Sequence, residues 1–126
     1  MILLDTCAVV YWTLDPDKLT RRAKAAIAKE SQVALSSISV WEIGIKVKRG
    51  RLVLALTLEE YVARLRKVQG AVILPVDELT WLRNLSLPWE HKDPADRTIV
   101  ATAMEQSCRL VTSDGTIAKF YPRCIW

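Results

Sequence analysis

Short apolar runs alternate with amphipathic segments along the whole chain, and this alternation limits the fold more than any other feature. The runs predicted to be β-strands are residues 1–4, 32–35, 72–74, 109–111 and 123–126. The segments between them are long enough to form right-handed crossovers between parallel strands. We therefore predict an α/β fold, a three-layer α/β/α sandwich with a mainly parallel central sheet, and a single domain over residues 1–126.

Several helix starts are marked by side chains that accept hydrogen bonds from free backbone amides. Potential N-caps precede amphipathic segments at Thr20, Thr57, Asp77 and Asp93. Proline is well tolerated in the first helical turn, so Pro94 directly after Asp93 favours a helix over residues 94–105. Another helix is expected to begin at one of the serines within residues 36–39 and to end at Gly50.

Four acidic residues stand where this fold would bring them together. Asp5 directly follows the first strand, Asp114 follows the strand 109–111, and Asp96 lies in the first turn of the helix 94–105. The carboxyl ends of parallel strands meet at one edge of a sheet, where ligands bind in open α/β folds. Glu42 is a fourth acid that a helix could direct to this edge.

Three of these acids also have ordinary structural explanations. Asp5 and Asp96 can cap helices and complement the helix dipole. Asp114 belongs to a Thr-Ser-Asp-Gly sequence that is typical of a turn. The residue pattern alone leaves the structural and the catalytic explanations open.

Glu42 has local explanations as well. Ser39-x-x-Glu42 matches the capping box, and Lys46 lies four residues further on, at the spacing of a helical ion pair. If the helix begins at Ser37 or Ile38 instead, Glu42 lies further inside it and has no partner nearby in sequence.

A carboxylate cluster without histidine or cysteine ligands favours hard cations, Mg²⁺ or Mn²⁺ rather than zinc or copper. Such an ion neutralises charge at phosphorus and makes water more acidic, which suits phosphodiester hydrolysis. The net charge of +4 and the basic residues within 46–67 are compatible with a nucleic-acid partner. A basic stretch of this kind is more often a solvated face, so this evidence is weak.

Other functional classes are disfavoured. The three cysteines form no C-x-x-C pair, so neither a zinc site nor a disulfide framework is indicated. No apolar run has the length of a membrane span, and Asp5 is atypical of a signal peptide, so the expected location is the cytoplasm.

Four segments resemble, in order and spacing, the PIN-domain signatures of VapC toxins. They are Met-Ile-Leu-Leu-Asp-Thr at 1–6, Val-Trp-Glu-Ile at 40–43, His-Lys-Asp-Pro-Ala-Asp-Arg-Thr-Ile at 91–99 and Leu-Val-Thr-Ser-Asp at 110–114. The likeness extends to the closing Trp126. It implies a Mg²⁺- or Mn²⁺-dependent endoribonuclease, the toxin of a type II toxin-antitoxin system. Such a toxin is usually a homodimer, inhibited by a VapB antitoxin whose C-terminal segment obstructs the acidic site.

The resemblance also implies roles for individual acids. Asp5, Glu42, Asp96 and Asp114 match the four acids of the family. Asp5 and Asp96 are expected to bind the metal directly, and Glu42 and Asp114 to complete the site through waters or a second ion.

Supporting roles follow from the same motifs. The hydroxyls of Thr6 and Thr112 are expected to orient carboxylates or water. Asp93 is expected mainly to cap its helix, and Arg97 to touch phosphate or a neighbouring acid. His91 matches a frequent residue of the subgroup, although a histidine near a helix start is more often a surface or capping residue than a catalytic base.

Two departures from the family pattern concern neighbours of the site, since Cys7 replaces a frequent histidine and Ala95 a frequent phenylalanine. Two alternative functions also remain at this stage: a housekeeping PIN-type RNA or DNA nuclease, and a catalytically silent RNA-binding module on the same fold. The silent module is disfavoured because clustered acids repel one another and raise one another's pKa at a cost in stability.

Overall fold

The structure is a computed structural model that describes residues 1–126, and it contains five strands and seven α-helices. In chain order they are β1 (Ile2–Leu4), α1 (Thr6–Leu14), α2 (Arg21–Ala28), β2 (Val33–Ser36), α3 (Ser37–Lys48), α4 (Leu58–Lys67), β3 (Ala71–Leu74), α5 (Glu78–Ser86), α6 (Pro94–Glu105), β4 (Arg109–Val111), α7 (Gly115–Phe120) and β5 (Cys124–Ile125). A short 3-10 helix, Pro16–Lys18, follows α1.

The five strands form one parallel sheet in the order β3-β2-β1-β4-β5. Leu4 of β1 lies in register with Leu35 of β2 on one side and with Val111 of β4 on the other. The chain therefore moves outward from β1 to β3, returns across the sheet, and continues outward from β4. The strand order reverses between β1 and β4, which places a ligand-binding crevice outside their carboxyl ends.

The central strand β1 divides the core into two layers. Ile2 and Leu4 pack with side chains of α1, α2 and α4, whereas Leu3 packs with Ile99 and Val100 of α6. All five side chains are fully buried, and burying one aliphatic side chain of this size stabilises the fold by about 2 kcal/mol. The three-layer α/β/α sandwich predicted from the sequence is confirmed.

Several predicted helix boundaries are confirmed by the side chains that cap them. Thr20, Thr57, Asp77 and Asp93 each accept a backbone hydrogen bond at a helix N-terminus. Among the serines within 36–39, Ser36 caps α3. The predicted stop at Gly50 lies two residues beyond α3, and its φ of +68° is a conformation that suits glycine.

Two predicted segments differ from the structure. The Thr-Ser-Asp-Gly sequence does not close a simple turn, because Asp114 caps α7, which begins at Gly115. The last strand contains only Cys124–Ile125 rather than residues 123–126, since only these residues pair with β4. None of the helices is long and apolar enough to pass through a bilayer.

Candidate active site

Asp5 lies at the carboxyl end of β1, inside the crevice between β1 and β4. Its amide donates to the carbonyl of Val111 at 3.1 Å, and its Oδ1 accepts from the amide of Ala8 at 2.8 Å. Only 6% of the residue is exposed. The structural explanation drawn from the sequence is therefore confirmed, since Asp5 caps α1, and its position at the strand end leaves the catalytic role a prediction.

The pKa of Asp5 is raised chiefly because burial disfavours its charged form. Hydrogen bonds from Thr112 and from the amide of Ala8 lower it, and the negative charges of Asp96 and Asp114 raise it further. Asp5 is thus the most buried member of a group of interacting carboxylates.

Asp114 is held at the start of α7. Its Oδ1 accepts from the amides of Thr116 at 2.8 Å and Ile117 at 3.3 Å. The hydroxyl of Thr112 accepts from the amide of Asp114 at 3.0 Å and also lies beside Asp5. Thr112 therefore links the ends of β1 and β4 at the crevice.

Asp96 lies in the first turn of α6, where Asp93 fixes the backbone. Oδ1 of Asp93 accepts from the amides of Ala95 at 2.9 Å and Asp96 at 3.1 Å, as expected for a capping residue. Burial raises the pKa of Asp96, a hydrogen bond from His91 lowers it, and the charges of Asp93 and Asp114 raise it. Asp96 therefore faces other acids of the crevice.

His91 contacts Asp96 directly, which the sequence did not indicate. Its Nε2 lies 2.8 Å from Oδ2 of Asp96. The imidazole lies against the ring of Trp89, with centroids 4.6 Å apart, and Trp89 stacks on Phe120 at 4.7 Å with an angle of 9° between the rings. The only sequence signal for this arrangement is an aromatic residue two positions before the histidine, which is not specific.

Glu42 is bound by a residue of another element rather than by its own helix. The hydroxyl of Thr6 donates to Oε1 of Glu42 and also lies 2.9 Å from Oγ of Ser39. The capping-box explanation is therefore wrong: Ser36 caps α3, and Ser39 is buried one turn into the helix.

The second local explanation for Glu42, an ion pair with Lys46, is also absent. Nζ of Lys46 contacts Sγ of Cys7 at 3.7 Å, and no acid lies within ion-pair distance of it. The pKa of Glu42 is raised by burial, lowered by the bond from Thr6, raised by the charges of Asp93 and Asp96, and lowered by the nearby charge of Lys46. Glu42 thus belongs electrostatically to the group of acids at the strand ends.

The expected contact of Arg97 with a neighbouring acid is absent, because its guanidinium contacts no acid, whereas its contact with phosphate stays a prediction. Nη1 donates to the carbonyls of Trp89 at 2.5 Å and His91 at 3.1 Å, and Nη2 to the carbonyl of Asn84 at 2.5 Å. Nε donates to Oδ1 of Asn84 at 3.2 Å. Arg97 therefore anchors the segment between α5 and α6 to the start of α6, and it faces backbone oxygens instead of the crevice.

A divalent cation of this kind is held by oxygen ligands from the protein and from water. No three His, Cys, Asp or Glu side chains are close enough to bind one ion between them. Each of Glu42, Asp96 and Asp114 has one carboxylate oxygen that makes no hydrogen bond within the protein. Mg²⁺ usually keeps several waters and takes only one or two carboxylates from the protein, so this donor set fits it.

Comparison with known proteins places these features in a family. The model of the PIN domain matches residues 2–121. The chain is 33% identical over 115 residues to ribonuclease VapC22 of Mycobacterium tuberculosis, an alignment that covers 90% of this chain and 86% of the relative.

Solved structures share the fold at lower sequence identity. A toxin-antitoxin complex from Klebsiella pneumoniae contains a chain that is 21% identical, with a TM-score of 0.70, covering 100% of this chain and 97% of the other. FitAcB from Neisseria gonorrhoeae is 24% identical with a TM-score of 0.66, covering 100% and 96%. FitAB bound to an IR36 DNA fragment is 22% identical with a TM-score of 0.65, covering 100% and 94%.

The fold, the acids at the switch between β1 and β4, and the match over nearly all residues agree with one another. The chain belongs to the PIN-domain family, among its VapC ribonucleases.

Proposed function

We propose that this protein is a Mg²⁺- or Mn²⁺-dependent endoribonuclease, the toxin of a VapBC-type toxin-antitoxin system acting in the cytoplasm. The observation that carries the proposal is the electrostatic coupling of Asp5, Asp96 and Asp114 in the crevice of a PIN-domain chain. Burial and mutual repulsion cost stability at neutral pH, and a bound cation would offset that cost.

In the proposed function, the acids bind the cation and orient its waters. Asp5 and Asp96 serve as the direct ligands of the cation, and Glu42 and Asp114 hold its waters or a second ion. When bound, the cation neutralises charge at the scissile phosphate and lowers the pKa of water. Thr6 orients Glu42, and Thr112 orients Asp5.

The antitoxin partner is proposed from the relatives. Two of the solved neighbours are a toxin-antitoxin complex and FitAB bound to a DNA fragment. By analogy, a VapB-type antitoxin would place its C-terminal segment over the acidic crevice and exclude RNA.

A homodimer is the proposed assembly of the toxin itself. One face of α5 exposes Leu79 at 63%, Leu82 at 62% and Leu85 at 78%. A contiguous exposed apolar surface of this kind is typical of an interaction site. Light scattering of the antitoxin-free protein, beside Leu82→Asp, tests the assembly, and an unchanged mass for the variant would place the interface elsewhere.

The activity is tested by incubating end-labelled total RNA with the antitoxin-free protein in EDTA, Mg²⁺ or Mn²⁺. Discrete fragments are expected only with metal, and Asp96→Asn is expected to abolish them. Asp17→Asn is the matched control, because the Asp17 side chain is 98% exposed and lies outside the crevice. Cleavage in EDTA, or equal cleavage by Asp96→Asn, would contradict the proposed mechanism.

A further inference from the structure

A buried serine of α3, Ser39, contacts the residue that binds Glu42. Oγ of Ser39 lies 2.9 Å from Oγ1 of Thr6, and the hydroxyl of Thr6 donates to Oε1 of Glu42. Ser39 and Glu42 both lie on α3, whereas Thr6 is the first residue of α1. The three side chains therefore form a row of two hydrogen bonds that joins two helices and ends at an acid of the crevice.

This row begins in the protein interior. Ser39 is 0% exposed and Thr6 is 4% exposed, while Glu42 is only partly buried. Water therefore cannot replace a hydrogen bond that the Ser39 hydroxyl loses, and a buried donor without a partner is costly. The contact with Thr6 is the only hydrogen bond of the Ser39 side chain.

The direction of both bonds follows from the number of hydrogens. A serine or threonine hydroxyl has one hydrogen to donate, and an ionised carboxylate can only accept. The hydrogen of Thr6 is used by Glu42, so Thr6 accepts from Ser39. The reverse direction would leave the Ser39 hydrogen without an acceptor in the interior and Glu42 without its donor.

The direction of these bonds matters for the orientation of Glu42. Its Oε1 accepts from Thr6, whereas its Oε2 makes no hydrogen bond within the protein. Thr6 is β-branched, so a change of its rotamer would remove the hydroxyl from Glu42. The bond from Ser39 favours the one rotamer in which the hydroxyl meets the carboxylate, and consecutive hydrogen bonds strengthen one another.

Ser39 does not make the local hydrogen bond that its position in a helix allows. A serine or threonine inside a helix can donate to the carbonyl one turn earlier, as Thr102 of α6 does to Thr98 at 2.8 Å. The Ser39 hydroxyl is directed to α1 instead. A residue that only stabilised α3 would not need this contact with Thr6.

Resting on the proposed nuclease function, we propose that Ser39 is a positioning residue of the active site that acts on Glu42 through Thr6. Ser39 donates to Thr6, Thr6 donates to Oε1 of Glu42, and Oε2 is left free for the crevice. No covalent bond changes and no proton is transferred along the row. Ser39 itself touches neither the RNA nor the reacting atoms.

The orientation of Glu42 is measured by the ¹³C resonance of its side-chain carboxyl in the metal-free protein, assigned with Glu42→Gln. Ser39→Ala is expected to shift or broaden this resonance, because the carboxylate then samples several orientations. Ser39→Thr keeps a hydroxyl and is expected to restore the resonance. Thr6→Ser, which retains the hydroxyl and adds no volume, is a second conservative variant with the same expectation.

The matched control removes a buried hydroxyl elsewhere. Thr102 is 4% exposed, and its hydroxyl bonds only within its own helix. Thr102→Val is expected to leave the Glu42 resonance unchanged, even where it lowers the stability of the fold. A change of this resonance that follows any loss of a buried hydroxyl would therefore be recognised.

A cycle of substitutions separates positioning from packing. Ser39→Ala is expected to lower kcat for RNA cleavage by roughly 2- to 12-fold, the usual range for one lost hydrogen bond, with KM unchanged. Thr6→Val keeps the size of threonine but already breaks the row, so adding Ser39→Ala to it is expected to lower kcat no further. A packing defect at Ser39 would lower kcat by the same factor in both backgrounds.

The proposal is overturned if the Glu42 resonance is the same in Ser39→Ala and the unmodified protein, or if the effects of Ser39→Ala and Thr6→Val on kcat multiply. A failure of the unmodified protein to cleave RNA would contradict the nuclease function instead. The carboxyl resonance is measured without metal or RNA, so its shift in Ser39→Ala would still support the positioning of Glu42 by Ser39.

Discussion

Nε2 of His91 lies 2.8 Å from Oδ2 of Asp96, and the imidazole is itself stacked in a row with Trp89 and Phe120. One oxygen of Asp96 is therefore anchored, and the other makes no hydrogen bond within the protein. Side chains that hydrogen-bond to a metal ligand fix its orientation and so strengthen metal binding, even when they do not contact the ion themselves.

Replacing His91 by phenylalanine is expected to weaken Mn²⁺ binding by about 10- to 100-fold, because the stack remains while the hydrogen bond to Asp96 is lost. Isothermal titration with Mn²⁺ measures the affinity directly. Lys92→Ala, a change at the exposed neighbouring residue, is the control. Equal affinity of His91→Phe and the unmodified protein would exclude an orienting role for the imidazole.

Adding Mn²⁺ is expected to raise the melting temperature, because an ion that binds only the folded chain stabilises it. At a concentration of a hundred times the Kd, the gain in the free energy of unfolding is about 2.7 kcal/mol. Calorimetry of the protein with and without Mn²⁺ measures the shift. Asp5→Asn is expected to reduce it and Asp17→Asn to leave it intact, whereas an unchanged melting curve at millimolar Mn²⁺ would count against a shared site.

The metal-free protein is expected to lose part of its stability as the pH rises from acidic to neutral. The pKa values of Asp5 and Asp96 are raised from 3.8, and that of Glu42 from 4.5, so the folded chain holds these protons more tightly than the unfolded chain. Their stabilising contribution is complete below the unfolded pKa values and is lost as the pH rises through the folded ones.

Asp5→Asn isolates this effect, since asparagine also caps helices but carries no charge. Urea unfolding in EDTA should show the variant gaining stability relative to the unmodified protein as the pH rises. Asp77→Asn is a control whose stability is expected to change in the opposite direction. Hydrogen bonds with Thr80 lower the pKa of Asp77 from 3.8, so this variant should lose stability relative to the unmodified protein as the pH rises. A difference between Asp5→Asn and the unmodified protein that is independent of pH would be inconsistent with a raised pKa.

Arg97→Ala is expected to destabilise the fold, although the site keeps all four acids. The substitution leaves the carbonyls of Asn84, Trp89 and His91 without their donor, and each such loss costs about 1–3 kcal/mol where water cannot replace it. Arg97→Lys is expected to recover only part of the loss, because an ammonium lacks the fork of the guanidinium. Urea unfolding measures both, and a wild-type midpoint for Arg97→Ala would refute the anchoring role.

The features predicted correctly from the sequence are those that depend on neighbours along the chain. The caps at Thr57 and Asp77, like the start of α6 at Asp93 and Pro94, are local patterns of three or four residues. The parallel sheet followed from the spacing of apolar runs. The positions of Asp5 and Asp114 at strand ends could likewise be predicted, because Asp5 directly follows β1 and Asp114 comes shortly after β4.

The contacts that were missed join residues that are distant in sequence or depend on side-chain packing. Glu42 is bound by Thr6, which lies on another helix, so the capping-box pattern was misleading. The five N–H groups of the Arg97 guanidinium could have faced either acids or carbonyls, and only the path of the segment 84–91 decides between them. The row of His91, Trp89 and Phe120 requires the end of α7 to lie beside the segment that leads into α6, which no local pattern encodes.

The pairing of β1 with β4 also determines when the acids at the strand ends can come together during synthesis. The first residues translated form the middle of the sheet, and one side of β1 stays unpaired until β4 has left the ribosome. Chains are extended at about 5–20 residues per second. Asp5 is therefore made several seconds before Asp96 and Asp114, which lie near the end of the sequence. A nascent chain of this topology therefore lacks the complete group of acids until β4 and Asp114 have been synthesised.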